Sequence, residues 1–425
     1  MAEQMKLSGI DWIGDIPNEW GITKVRFVTN LRSEQGFYGS DDKYIGLENI
    51  SSYTGKYIST ESEYDAGTYD LYKAGDLLFS KLRPYLAKAL IADDCGFCTG
   101  ELAVIKEYNG DIRYLFYYML SDGFLKMVDA STYGAKMPRA SWDYIKNLQI
   151  PVMRKSEQQA IADFLDKECA QIDSIAADLE KQIELLQEYK KSLITETVTK
   201  GLDKSIPMKD SGVEFFGKIP QHWKVSKTKY VADISIGLVT TMTENYVDEG
   251  GVPLIRNSNI RTNYIDNNGM VYLSNEFAKA NISRALHKGD IVTVHTGDVG
   301  TSAIINETYH MSHGFATIIS RLKVKYVDNK FLCWLYNSEI FKEMSISYST
   351  GDGRQNLNLY DFVDFYILIP TLKEQIEIAN WLDVKCKEID NLIDNKQKQL
   401  SLIKQHKKSL IYEYVTGKKR VKEAQ

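Results

Sequence analysis

Residues 8–20, SGIDWIGDIPNEW, return as residues 211–223, SGVEFFGKIPQHW. The Ser-Gly pair, an acidic residue, an aromatic, a second Gly, Ile-Pro and a closing Trp keep the same spacing. A second echo follows each opening: residues 156–201 are matched by residues 373–418. Each half therefore reads opening motif, variable region, long helix. Between these anchors the halves diverge, so any difference in what they recognise belongs there. A chain of 425 residues is too long for one ordinary core and suits two or three domains.

The two echoed segments carry a heptad stripe, with Leu165, Ile172, Leu179, Leu186 and Leu193 in the first. Leu382, Ile389, Ile403 and Leu410 form it in the second, where Lys396 interrupts. A companion row runs through Ala162, Cys169, Ala176 and Ile183, and through Ala379, Cys386, Ile393 and Leu400. Two apolar rows with a 3.5-residue period and no internal Pro predict long helices that pack as a coiled coil. At 1.5 Å per residue such helices span roughly 65 Å.

The variable regions predict mixed strands, short helices and loops. Residues 73–92 and 287–305 each read as a Gly-Asp turn, a strand, a polar loop and a second strand, so they predict equivalent hairpins. The apolar stretches at residues 112–131 and 328–347 predict equivalent helices. Each half then passes through a Gly-rich loop to a strand closing on Ile150-Pro151 or Ile369-Pro370.

The chain contains no P-loop, no G-x-G-x-x-G, no G-x-S-x-G and no H-E-x-x-H. Cys95 and Cys98 form a lone C-x-x-C, His310 and His313 a lone H-x-x-H, and Gly297 to Gly300 a lone G-x-x-G. Each lacks the further ligands or helical context its chemistry needs. The five cysteines are scattered, as expected where thiols stay reduced, and no apolar run reaches the length of a membrane span. These features predict a cytoplasmic protein. A net charge of −5 argues against general coating of nucleic acid but leaves room for local basic clefts.

The loops supply donors suited to DNA. Residues 80–85 and 133–142 carry Lys81, Arg83, Tyr85, Tyr133, Lys136 and Arg139. In the second half, residues 255–264 and 349–358 carry Arg256, Asn257, Asn259, Arg261, Arg354, Gln355 and Asn356. Arg and Lys bind phosphates or guanine edges, and Asn and Gln match the adenine edge. The competing reading of each position is an ordinary solvated turn residue.

A tandem of two divergent domains, each opened by G-I/V-D/E-W/F-x-G-x-I-P-x-x-W and followed by E-Q-x-x-I-A-x-F/W-L-D and KKSLI-x-E-x-V-T, resembles the specificity subunit of Type I restriction-modification enzymes. Those motifs fall at residues 9–20 with 157–199 and 212–223 with 374–416. The resemblance implies an α+β chain with a pseudo-two-fold internal repeat, in which mixed α/β target recognition domains at residues 1–155 and 202–372 alternate with a spacer helix at residues 156–201 and a second spacer helix with a C-terminal tail at residues 373–425, the helices forming an antiparallel coiled coil. It implies that each domain reads one half of a split double-stranded DNA target and that the chain itself is not an enzyme. Two modification subunits would supply S-adenosylmethionine-dependent adenine methylation, and up to two restriction subunits would supply ATP- and Mg-dependent cleavage. No cofactor or metal is implied for this chain. The alternative is a coiled-coil adaptor whose variable domains bind proteins.

Overall fold

The opening motif recurs because its residues close the same local structure twice. In the computed structural model, which describes residues 4–39, 42–62, 64–134, 136–240, 242–248, 250–351, 353 and 355–421, Ser8 and Ser211 accept the backbone N–H of Ile10 and Val213 at 3.0 and 3.1 Å. Trp20 and Trp223 are fully buried. Their indole N–H groups donate to Glu157 and Glu374, at 3.1 and 3.3 Å. The next residue of the helix motif also recurs for a reason. Gln158 and Gln375 accept the backbone N–H of Asp111 and Asp328, which cap the short helix of each half. Motif residues widely separated in sequence are thus mutual hydrogen-bond partners, and a buried indole N–H without such a partner is costly.

The chain forms two compact units, Met1–Lys181 with Gln397–Gln425, and Gln182–Lys396. They do not follow the linear order of the segments, because each long helix is divided between them. In the first unit a four-stranded antiparallel sheet contains β1 (Thr29–Leu31), β2 (Leu77–Ser80), β3 (Ala89–Ile91) and β4 (Leu102–Tyr108), in the order β1-β4-β2-β3. In the second unit β5 (Ala232–Ile236), β6 (Ile291–Val294), β7 (Ser302–Ile304) and β8 (Thr317–Leu322) take the equivalent order β5-β8-β6-β7. The hairpins expected at residues 73–92 and 287–305 are β2–β3 and β6–β7. A second four-stranded sheet in each unit includes one parallel pair, at Phe97↔Tyr44 and at Leu254↔His313. This pairing places His313 in a strand, while His310 lies in the preceding turn.

The stretches expected as single helices are each broken in two, Ile112–Leu120 with Asp122–Asp129, and Asn329–Tyr336 with Glu339–Ser347. Ser121 and Ser338 turn the chain by donating to the carbonyls of Tyr118 and Leu335, both at 2.6 Å. A serine hydroxyl offers the backbone this alternative to continuing the helix. Among the cysteines, Cys95 is exposed and Cys98 is buried, its thiol pushed up to about 12 by desolvation. Among the described residues no group of three or more His, Cys, Asp or Glu could hold a metal, and no helix is long and apolar enough to cross a membrane.

The long helices run Lys155–Lys200 and Leu372–Val415. In the first unit, Lys407 meets Asp173 at 2.6 Å and Lys404 meets Glu180 at 2.7 Å. In the second, Lys190 meets Asp390 at 2.6 Å and Lys396 donates to Gln182. One number rises as the other falls, so the helices are antiparallel. Leu165, Leu179, Leu382 and Ile389 of the heptad stripe are buried in the seam. Lys396 interrupts that stripe without burying its charge, because its ammonium lies exposed, where it donates to the Gln182 side chain. The core of each unit is completed by the helix end of the other sequence half. Leu410, Ile411 and Val415 pack with Trp20, and Ile194 and Val198 pack with Trp223. Tyr114 fixes this closure in the first unit, its hydroxyl donating to the Val415 carbonyl at 2.9 Å.

Candidate nucleic-acid interface

The loop after β2 and the Gly-rich loop before the strand Gln149–Val152 are held together by backbone bonds. The Arg83 N–H donates to the Pro138 carbonyl at 2.7 Å, the Ala140 N–H to Lys81 at 2.8 Å, and Leu82 bridges Arg139. Tyr133 and Arg139 exchange backbone bonds across the Gly-rich loop. The second unit repeats this frame bond for bond. Gly297 donates to the Gln355 carbonyl at 3.0 Å, Leu357 to His295 at 2.9 Å, Thr296 bridges Asn356, and Thr350 pairs with Asn356. Lys81 and His295 are therefore equivalent positions, as are Arg83 and Gly297, Tyr133 and Thr350, and Arg139 and Asn356.

The frame demands a left-handed residue after the strand, with φ of +103° at Gly297 and +48° at Arg83. Gly adopts this freely, whereas Arg carries strain of about 1 kcal/mol or more. Arg83 donates from a guanidinium NH2 to the Lys136 carbonyl, 3.5 Å away. Tyr85, Tyr133 and Lys136 are exposed on the same pair of loops, and Lys81 is half-buried. Arg139 is exposed and forms an ion pair with Glu101.

In the second unit the structure adds a third loop. The Asn257 side chain accepts the His295 N–H at 3.4 Å, which brings residues 255–264 beside the frame. Gln355 and Asn356 lie in the frame, half-buried, while Arg354 lies outside the described residues. Arg256 donates to the Gly269 carbonyl, and Arg261 pairs with Asp266 at 3.4 Å.

Asn259 differs from its expected role. It is fully buried, accepts the Arg256 N–H at 3.1 Å and donates to the carbonyls of Asp266 and Asn268 at 3.0 and 3.2 Å. Its amide is spent on shaping the loop and offers nothing to a base. Asn49 does the same in the first unit, accepting from Gly46 and donating to Ile58. Aligning the Asn-Ile at residues 49–50 with that at residues 259–260 is the sequence signal for this shared structural role. His295 carries no signal in the sequence, because the residues that hold its backbone, Asn257 and Leu357, are distant in sequence.

The chain matches the model of the Type I restriction modification DNA specificity domain twice, over residues 13–185 and 220–405. It is 29% identical over 320 residues to the Type I restriction enzyme MjaVIII specificity subunit of Methanocaldococcus jannaschii, an alignment covering 73% of this chain and 71% of that protein. To the MjaIX specificity subunit of the same organism it is 22% identical over 441 residues, covering 97% and 96%. A chain solved in a study of the assembly and conformational transition of the type I R-M system shares the fold. Its TM-score is 0.71 at 15% identity, with 94% of this chain and 98% of that one covered. Two copies of one family domain, each ending in one of two antiparallel long helices, establish that the chain belongs to the Type I restriction modification DNA specificity family, whose role is sequence-specific DNA recognition.

Proposed function

We propose that this chain is the DNA-reading subunit of a Type I restriction-modification complex and that each recognition domain reads one half of a gapped duplex target. The carrying observation is the frame built twice with the same backbone bonds and unlike side chains. Lys81, Arg83 and Arg139 offer donors to phosphates or guanine, with Tyr85, Tyr133 and Lys136 around them. Arg256, Asn257, Arg261, Arg354, Gln355 and Asn356 give the second domain a more amide-rich set, suited to adenine. The same scaffold thus serves two unlike half-sites.

The chemistry belongs to partners in this reading. Two modification subunits bind S-adenosylmethionine and methylate adenine, and up to two restriction subunits use ATP and Mg. Recruitment of a partner in two copies is supported by apolar side chains that recur at equivalent helix positions and stay about half exposed or more. Ile175 and Leu402 form the pair in the first unit, and Leu392 and Leu185 form it in the second. With a net charge of −5, the chain relies on these partners to complete a positive channel around DNA.

Replacing residues 21–150 with those of a relative, in the complex with its modification subunits, tests the reading. Sequencing of methylated DNA is expected to show a gapped motif with one half changed and the other kept. A motif changed in both halves, or in neither, would refute independent reading.

A further inference from the structure

Resting on the reading of the second domain as a DNA reader, we infer that His295 is a specificity-determining residue that, together with Asn356, presents an acceptor beside a donor to an adenine in the major groove. The protons along a short side-chain relay lead to this assignment. The Thr296 hydroxyl donates its one proton to Asn356 Oδ1 at 3.1 Å. The same oxygen lies 2.8 Å from His295 Nδ1, and with its proton given to Asn356 it accepts there, which assigns the ring proton to Nδ1. Nε2 is then left with a lone pair. Asn356, with its oxygen already accepting from Thr296, still has both amide N–H groups to donate. Neither Nε2 nor the Asn356 amide nitrogen has a protein partner among the described residues.

The neutral ring is favoured independently, because half-burial lowers the pKa of His295 by desolvation. Its backbone is pinned on both sides, by Asn257 at the N–H and by Leu357 at the carbonyl. Adenine shows an N6 amino donor next to the N7 acceptor in the major groove, complementary to Nε2 and the Asn356 amide N–H. Guanine shows two acceptors there and would oppose the Nε2 lone pair. At the equivalent position the first domain carries Lys81, which has donors only. The two domains therefore differ in the polarity of what this strand end presents, as two unlike half-sites require.

Two near-isosteric variants separate reading from scaffolding. His295→Asn keeps an N–H near the Nδ1 place and loses the distal acceptor, whereas His295→Gln keeps a distal acceptor and loses the Nδ1 donor. Each variant is assembled with its modification subunits and assayed for methylation on duplex libraries randomised one base pair at a time. His295→Asn is expected to lower the preference for adenine at one position of the second half-site by about tenfold, with the first half-site unchanged. His295→Gln is expected to keep most of that preference. The inference is overturned if Gln is the more harmful variant, if the affected base is not adenine, if neither variant alters any position, or if both weaken every position of the second half-site together. Absence of a split motif for the unaltered complex would instead refute the DNA-reading function on which this rests.

Discussion

Asp76 in the first recognition domain and Asp290 in the second sit at the same turn before the same strand, yet their arginines come from different places. Both carboxylates are buried, and each accepts the N–H three residues before it, from Lys73 and His287. Asp76 is paired with Arg32, which directly follows β1, whereas Asp290 is paired with Arg321 within β8. An ionised buried carboxylate is costly without a compensating partner, and any strand that can deliver an arginine will serve. The recognition frames obey the same division. Their backbone bonds recur while the side chains they display are exchanged. Divergence in this chain is therefore permitted wherever the fold asks for a partner or a backbone shape rather than a particular residue.

The Asp pair gives the largest expected contrast. Arg32 is buried along with Asp76, their side chains being 9% and 3% exposed, while Arg321 is 41% exposed. Asp76→Ala removes the two-pronged partner of a buried guanidinium and leaves it only Glu34, a half-exposed carboxylate 3.0 Å away, and is expected to cost about 3 kcal/mol in denaturant unfolding. Asp290→Ala leaves Arg321 able to reach water and is expected to cost roughly half as much, on the scale of an ordinary lost charged hydrogen bond. Equal losses would mean that arginine burial does not set the cost.

A smaller contrast lies between the interhelical pairs. The Tyr53 loop of the first unit, at φ +61°, gives its carbonyl to Lys407 at 3.2 Å, and the Lys407–Asp173 pair is largely covered. The equivalent Lys190–Asp390 pair leaves Asp390 53% exposed. Lys407→Met is expected to lower stability by about 2 kcal/mol, because it strands Asp173. Lys190→Met is expected to cost less than about 1 kcal/mol, as for exposed pairs. Thermal melting of both variants checks this, and a larger loss from Lys190→Met would reverse the interpretation.

The smallest effects fall within one frame. If Arg139 contacts a base, Arg139→Ala weakens binding to the specific site by about 1–3 kcal/mol and relaxes the first half-site alone. Lys136→Ala, a phosphate contact in this reading, weakens all sequences alike and reduces the salt slope by about one unit. Titrations of the assembled complex on specific and random duplex at two salt concentrations separate them. A uniform loss from Arg139→Ala would move that residue to the phosphate class.

The repeat, the long helices, the hairpins and the matching places of the Gly-rich loops were legible in the sequence, because each is written in local spacing that can be aligned between halves. The heptad rows identified the seam from Leu165 to Leu410, and the Gly-rich loops recur at matching places in both halves, whereas the backbone bonds that join them to the hairpin loops leave no such mark. Three features were decided only in three dimensions: the completion of each core by the helix end from the other half, the withdrawal of Asn259 into its loop, and the joining of Asn257, His295 and Asn356. Each depends on which distant groups become neighbours once apolar faces are buried. Periodicity records which face of a segment will be covered, but a hydrogen-bond partner brought from elsewhere in the chain leaves no trace in the spacing of either residue.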